Sequence, residues 1–238
     1  MARESDTCMK VKRLQLIEGA KQAEGLTVII DVFRAFSLEC YLYDMGVKEI
    51  RPIGSIEDAF ALGEKIPGSI LVGERKGKKC EGFDYGNSPS TVDREHVAGK
   101  TVIHTTSAGT QGIVNALNAS EVITGSLVNA KAIVQYIQRK NPDTVSIVSM
   151  GTAGTRTNPE DELCADYLIS MLEGNAMDDI EERIAGLRNN GGEHFFNPDN
   201  QEVFPERDYW MCIKYDQFPF VIRIENDELG FVARKQEV

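Results

Sequence analysis

Residues 28–37 read VIIDVFRAFS. Val28, Ile29 and Ile30 are the β-branched, apolar run of a buried strand, and the run stops at Asp31, with Arg34 and Ser37 just beyond. A carboxylate and a guanidinium at the mouth of a core strand suit either a solvated loop or a site. What decides between them is whether other strands in the chain end the same way.

Moving outward, short β-rich runs alternate with helical patterns. Strands are predicted at LTVIID (26–31), EIRPI (49–53), SILVGE (69–74), TVIHT (101–105), EVITG (121–125) and TVSIVS (144–149). Helices are predicted over 37–45, 56–65, 110–117, 129–139 and 160–172, with Gly46 and Asn118 placed as left-handed caps. Such alternation is the pattern of an α/β protein with a mostly parallel sheet. TVIID…GVKEIRPIGSIEDAFAL and TVIHT…NASEVITGSLVNAKAIV share one order of strand, loop, helix, cap, strand, Gly-Ser and helix. Gly54-Ser55-Ile56 matches Gly125-Ser126-Leu127, and Ala59 matches Ala130. The expectation is a single domain over 1–238, with duplicated βαβ units whose halves start near 26 and 100. Past Gly174 the pattern loosens: 175–190 reads as a polar helix and 189–201 as loop. The aromatic segment near 203–238 is expected at a sheet edge, because Pro219 disfavours a central strand.

Composition narrows the function. The chain has 238 residues, 42% hydrophobic, and a net charge of −11. An excess of negative charge argues against nucleic acid or an anionic membrane as a partner. No apolar run approaches the ~20 residues of a membrane span, and the N-terminus MARESDTCMKVKRL lacks a signal-peptide core. Five scattered cysteines (Cys8, Cys40, Cys80, Cys164, Cys212) without a C-x-x-C pair fit reduced thiols in a cytoplasmic protein rather than zinc.

In open parallel sheets, ligands sit beyond the carboxyl ends of the strands. Four such ends carry polar chemistry here: Asp31 with Arg34 and Ser37; GERKGKK with Glu74 and Arg75; HTTSAGTQG; and SMGTAGTRTNPED. In the third, Thr105, Thr106, Ser107, Gly109 and Thr110 open a helix and suit either an anion cradle or simple N-capping. The fourth repeats that chemistry with Arg156 added. Asp31, Glu74 and the Glu160-Asp161 pair are carboxylates of the kind a hard cation takes. A surface ion pair accounts equally for Glu74-Arg75, and dipole complementation for 160–161. CEGFDYGNSPS (80–90) is turn chemistry that places Asp84, Asn87 and Ser88 within reach of a polar ligand. His96, His104 and His194 are isolated and read as structural.

The segments DVFRAFS, GERKGKKCEGFDYGNSP, TTSAGTQGI, EDELCAD and DYWMCIKYDQFPFV occur in the order seen in the ComB family, which this chain resembles from about residue 26 to 222. The resemblance implies a three-layer α/β/α fold with internal duplication. It also implies Mg²⁺-dependent hydrolysis of 2-phosphosulfolactate to sulfolactate, a step towards coenzyme M. The partner is then a small phosphorylated and sulfonated acid, and the reading is compatible with a homo-oligomer. The family's usual [TS] is Phe36 here, and its usual Asn is Ala108. On this reading Asp31 and Glu74, with Asp161, hold Mg²⁺; Arg34 and Arg75 neutralise the substrate; Ser37, Asn87, Ser88 and the 105–110 loop bind its oxygens. The absence of a D-x-D pattern, with Phe33 at its third position, favours attack by water over an aspartyl-phosphate. Two rivals remain: a phosphatase for a different phosphorylated carboxylic acid, and a non-catalytic binder of a phospho-metabolite.

Overall fold

The computed structural model describes residues 9–238; Cys8 and the first eight residues of the stretch read for a leader lie outside them. The strands are β1 (Lys10–Gln15), β2 (Gly25–Ile30), β3 (Glu49–Pro52), β4 (Ile70–Arg75), β5 (Lys78–Lys79), β6 (Thr101–Thr105), β7 (Ala119–Gly125), β8 (Thr144–Ser149), β9 (Phe220–Asp227) and β10 (Gly230–Glu237). The helices are α1 (Leu16–Gln22), α2 (Ala35–Asp44), α3 (Ile56–Lys65), α4 (Arg94–Val97), α5 (Gly109–Asn115), α6 (Ala130–Lys140), α7 (Pro159–Leu172), α8 (Ile180–Gly186) and α9 (Glu206–Cys212). All the strands join one sheet in the order β1-β8-β2-β7-β9-β10-β3-β6-β4-β5.

Helices on both faces make three layers, and the strand sequences show why. In β2, Leu26, Val28 and Ile30 pack with residues of α6 and α7, while Ile29 between them packs with residues of α1 and α5. Likewise in β8, Val145 and Ile147 face the first group and Val148 the second. Alternating side chains are buried on both sides, so the run is apolar throughout rather than every other residue. Among the described residues no helix is long and apolar enough to cross a membrane.

The strand order carries the repeat. β2-α2-β3-α3-β4 and β6-α5-β7-α6-β8 pair in exchange: β2 lies parallel to β7, β3 to β6, β8 to β2 and β4 to β6. Reading β8-β2-β7 inward from one side and β4-β6-β3 from the other gives the same succession of repeat strands, as two swapped copies do.

The C-terminal aromatic segment is not at an edge. β9 pairs antiparallel with β7, β10 antiparallel with β9, and β10 meets β3 through Ala233 and Ile50, so the hairpin joins the two halves at mid-sheet. Pro219 falls just before the first residue of β9 and withholds no ladder donor, which is why it is tolerated there. Val221 and Ile222 are fully buried in this position.

Three antiparallel pairings in succession make the halves run in opposite senses. Sheet twist of about 20–25° per step accumulates to roughly 110° over the five steps from β2 to β6. Nominally opposed strands therefore cross rather than oppose, and their carboxyl ends open towards one region.

Candidate active site

All four strand ends meet in one cavity of about 710 Å³. Asp31 and Arg34 enter from the end of β2, Glu74 and Lys76 from β4, Ser107 and Ala108 from β6, and Arg156 and Glu160 from the loop after β8. Asn190, His194 and Phe204 complete its wall.

The floor is acidic and closely held. Asp31 Oδ1 accepts from the Ala35 amide at 3.2 Å, at the start of α2. A Cβ on Gly109 would lie 2.9 Å from Asp31 Oδ2 and 3.0 Å from Phe36 Cζ, so only glycine allows α5 to begin this close to the carboxylate. Burial, together with the charge of Glu74, pushes Asp31 up to about 6. Burial, together with the charges of Asp31 and Glu193, pushes Glu160 up to about 8. Glu160 Oε2 is buried and has no hydrogen-bond partner among the described residues.

The neighbouring Asp161 does something else. Its Oδ1 accepts from the Val32 amide and its Oδ2 from the Gly151 amide, both at 2.8 Å. Asp161 thus ties the loop after β2 to the loop after β8, is 1% exposed, and does not line the cavity. The sequence reading that made Asp161 the metal-facing member of the pair is corrected: Glu160 faces the cavity. Asn158 caps α7 by accepting from the Asp161 amide at 3.1 Å, and that cap orients the pair.

The 105–110 loop is likewise occupied by the protein itself. Thr106 and Thr110 bond reciprocally, each backbone amide to the other's hydroxyl, at 2.9 and 3.1 Å. The Ser107 amide donates to Glu74 Oε1 at 2.7 Å and the Ser107 hydroxyl to Glu74 Oε2 at 3.2 Å, while the Gly77 amide also donates to Oε2 at 2.7 Å. The anion these donors hold is Glu74, so the cradle is a mount for a carboxylate rather than a vacant phosphate site.

The expected cations divide. Arg34 reaches the cavity but is 3% exposed: Nη1 donates to Asp208 at 2.7 Å and to the Val203 carbonyl at 2.9 Å, and the guanidinium lies 4.8 Å from the Phe204 ring centre. Arg75 lies outside the lining and donates to Thr105 Oγ1 at 2.9 Å and to the Glu74 carbonyl at 2.7 Å. Its job is to brace two strand ends. Ser37 is buried, donating to the Val32 carbonyl and paired with Ser126; Ser88 donates to Asp208. Neither is among the lining residues, nor are Thr105, Thr106, Gly109 and Thr110, whereas Asn87 and Ser107 are. Of the two departures from the family pattern, Phe36 is fully buried under α5 and only Ala108 lines the cavity.

The sequence reading passed over Lys76, gave Arg156 no role of its own and took His194 as structural. Lys76 and Arg156 are exposed at the rim with no ion pair among the described residues. Their signal was present in GERKGKK and GTAGTRT, in strand-end loops already singled out. His194, read as structural, lines the cavity with its ring centre 4.2 Å from that of Phe195, and burial with the nearby Arg34 charge lowers its pKa.

The raised carboxylates make a test of the floor. The native state holds protons on Asp31 and Glu160 at pH values where the unfolded chain has lost them, so stability falls as pH rises from about 4 to about 8. Thermal unfolding of the chelated protein should show Tm lower by about 5 °C at pH 8 than at pH 5.5. Added Mg²⁺ should recover more of it at pH 8. A Tm that rises over this window would refute the clustered floor.

Fold and cavity define a class: an α/β protein with a carboxylate-floored cavity rimmed by cations at its strand ends. Comparison makes that class specific. The 2-phosphosulpholactate phosphatase family profile matches residues 11–227. The chain is 42% identical over 229 residues to a protein of Caldanaerobacter subterraneus subsp. tengcongensis, covering 90% of this chain and 92% of that one. It is 40% identical over 165 residues to one of Carboxydothermus hydrogenoformans (69% and 68% covered), and 29% identical over 204 residues to one of Bacillus subtilis (85% and 88%). Each of the three is named "Probable 2-phosphosulfolactate phosphatase". The chain belongs to the 2-phosphosulpholactate phosphatase family, and with it to the phosphoric monoester hydrolases.

Proposed function

We propose that the protein hydrolyses 2-phosphosulfolactate to sulfolactate and inorganic phosphate with Mg²⁺ as cofactor. The observation that carries this reading is the meeting of Asp31 and Glu160 with Arg34, Lys76 and Arg156 in one cavity. A substrate bearing phosphate, sulfonate and carboxylate needs several cationic contacts, and a site that binds such an anion gains from carboxylates only when a cation joins them.

A divalent cation fits the floor. Glu160 Oε2 lacks a partner among the described residues, and Asp31 and Glu160 repel each other's charge. No cluster of three or more His, Cys, Asp or Glu set to hold a metal occurs among the described residues. Such a sparse donor set suits Mg²⁺, which takes one or two carboxylates and completes its shell with water and substrate oxygens. Asp31 and Glu160 would hold it, while Glu74 serves the 105–110 loop. When bound, Mg²⁺ neutralises phosphoryl charge and orients the substrate's oxygens.

The remaining steps fall to the chain. Arg34, held by Asp208, presents a fixed charge to one anionic group, and Lys76 and Arg156 at the rim take the others. The apolar stack of Phe204 and Phe195 around Arg34 keeps water from that charge. We assign the attack to water.

Selectivity tests the substrate. Phospholactate lacks the sulfonate, which leaves one cationic contact unmade, and its kcat/KM should be roughly 10- to 100-fold below that of phosphosulfolactate. Ala108, standing in the cavity wall where the family usually has Asn, favours one alternative: a different phosphorylated carboxylic acid. Equal kcat/KM for the two compounds, or a preference for a sulfonate-free acid, would select that alternative.

A further inference from the structure

Behind the cavity wall lies a chain of buried polar groups that the acidic floor does not use. Asn87 lines the cavity yet is 5% exposed, and its Oδ1 turns inward to His104 Nε2 at 3.1 Å. His104, in β6, is fully buried, and its Nδ1 lies 2.9 Å from Glu39 Oε1. Glu39, in α2, is fully buried as well, and its second oxygen accepts from Thr124 Oγ1 at 3.5 Å. Removing such a pair from water is costly, and it persists where each polar atom has a defined partner.

The polarity of the chain follows from donor chemistry. An amide oxygen can only accept, so Nε2 of His104 carries hydrogen and donates to Asn87 Oδ1. The Asn87 amide oxygen is then committed inward. Its Nδ2 is bonded to nothing among the described residues and is not enclosed. An amino group on a nearly buried side chain, facing a cavity without a protein partner, is a donor awaiting an acceptor.

We propose that Glu39 and His104 are positioning residues: they lock the Asn87 carboxamide so that Nδ2 points into the cavity as a hydrogen-bond donor to an anionic group of the substrate. Glu39 anchors the ring through Nδ1, and Nε2–H in turn holds the Asn87 oxygen inward. Without the imidazole donor nothing keeps that oxygen inward, and the carboxamide is free to turn it towards the anion. A buried ring remote from the substrate thus sets whether this wall attracts or repels it.

The kinetic arm of the test rests on the phosphatase reading; the spectroscopic arm does not. In His104→Leu, KM for 2-phosphosulfolactate should rise roughly 10- to 100-fold, the scale of one hydrogen bond to a charged group, with kcat changed much less. Asn87→Ala should give the same rise, and the double variant should be no worse than Asn87→Ala alone; Glu39→Leu should raise KM in the same direction, and Glu39→Gln, whose amide still pairs with Nδ1, should restore it. An unchanged KM in His104→Leu, or effects that multiply in the double variant, would overturn the assignment. Independently, ¹⁵N-histidine NMR of the wild-type protein at pH 7 should show Nε2 of His104 protonated. A bare Nε2 there would overturn it whether or not the variants fold. Absence of phosphate release by the wild type would instead remove the phosphatase reading and leave the NMR result to decide the chain.

Discussion

Asp31→Asn is expected to lower phosphate release by roughly 10²- to 10³-fold, the scale of losing one charged group aimed at the reacting centre, while the protein keeps its fold. Asp31 follows the last residue of β2 and enters the cavity floor, so the substitution touches no packed apolar contact. Asn retains an oxygen for the Ala35 amide now served by Asp31 Oδ1. It also removes a buried charge that Glu74 and Glu160 oppose, so part of the lost hydrogen bonding is offset by relief of repulsion. The expected result is a split: activity nearly gone, with the thermal transition at pH 8 shifted little. Wild-type turnover would make Asp31 a structural residue, and loss of activity tracking loss of the folded fraction would do the same.

Much of this fold was legible locally. The runs at 26–31, 101–105 and 144–149 are apolar because both faces of the sheet are covered, and that local pattern places the strands whatever their partners. The convergence of four strand ends was readable for the same reason, since each end carries its own polar loop. Partner choice was not. The β9–β10 hairpin holds mid-sheet through pairings with β7 and β3, around 100 and 180 residues away, and Pro219 pointed to an edge only when the strand was assumed to include it. β1 was missed because KVKRLQ is too charged to show a buried pattern; among the described strands only β8 pairs with it.

The site follows the same division. Sequence placed carboxylates at the cavity but not the way each one faces. Glu160 and Asp161 are adjacent on a first helical turn, about 100° apart around the axis, so one enters the cavity and the other binds Val32 and Gly151. Arg34 is engaged by Asp208, 174 residues away, and His104 by Glu39, 65 residues away. Neither partner shares a motif with the residue it holds. Lys76 and Arg156 were within sight, but exposed lysines and arginines in loops are common, and only the closure of the cavity distinguishes these two.

Metal dependence is the second large effect, and it bears on the core of the account: a carboxylate floor whose charge is useful only with a cation present. Arg34 is already paired with Asp208, so among the described lining cations only Lys76 and Arg156 remain uncompensated, against Asp31, Glu74, Glu160 and Glu193. Without a divalent ion a substrate with three anionic groups meets a cavity close to neutral or negative, and binding and hydrolysis should both collapse. The measurement is phosphate release from 2-phosphosulfolactate by protein dialysed against EDTA, before and after addition of Mg²⁺. The account predicts loss of at least about 10²-fold on chelation, recovery with Mg²⁺, and no recovery in Asp31→Asn. Full turnover by the metal-free protein would contradict it.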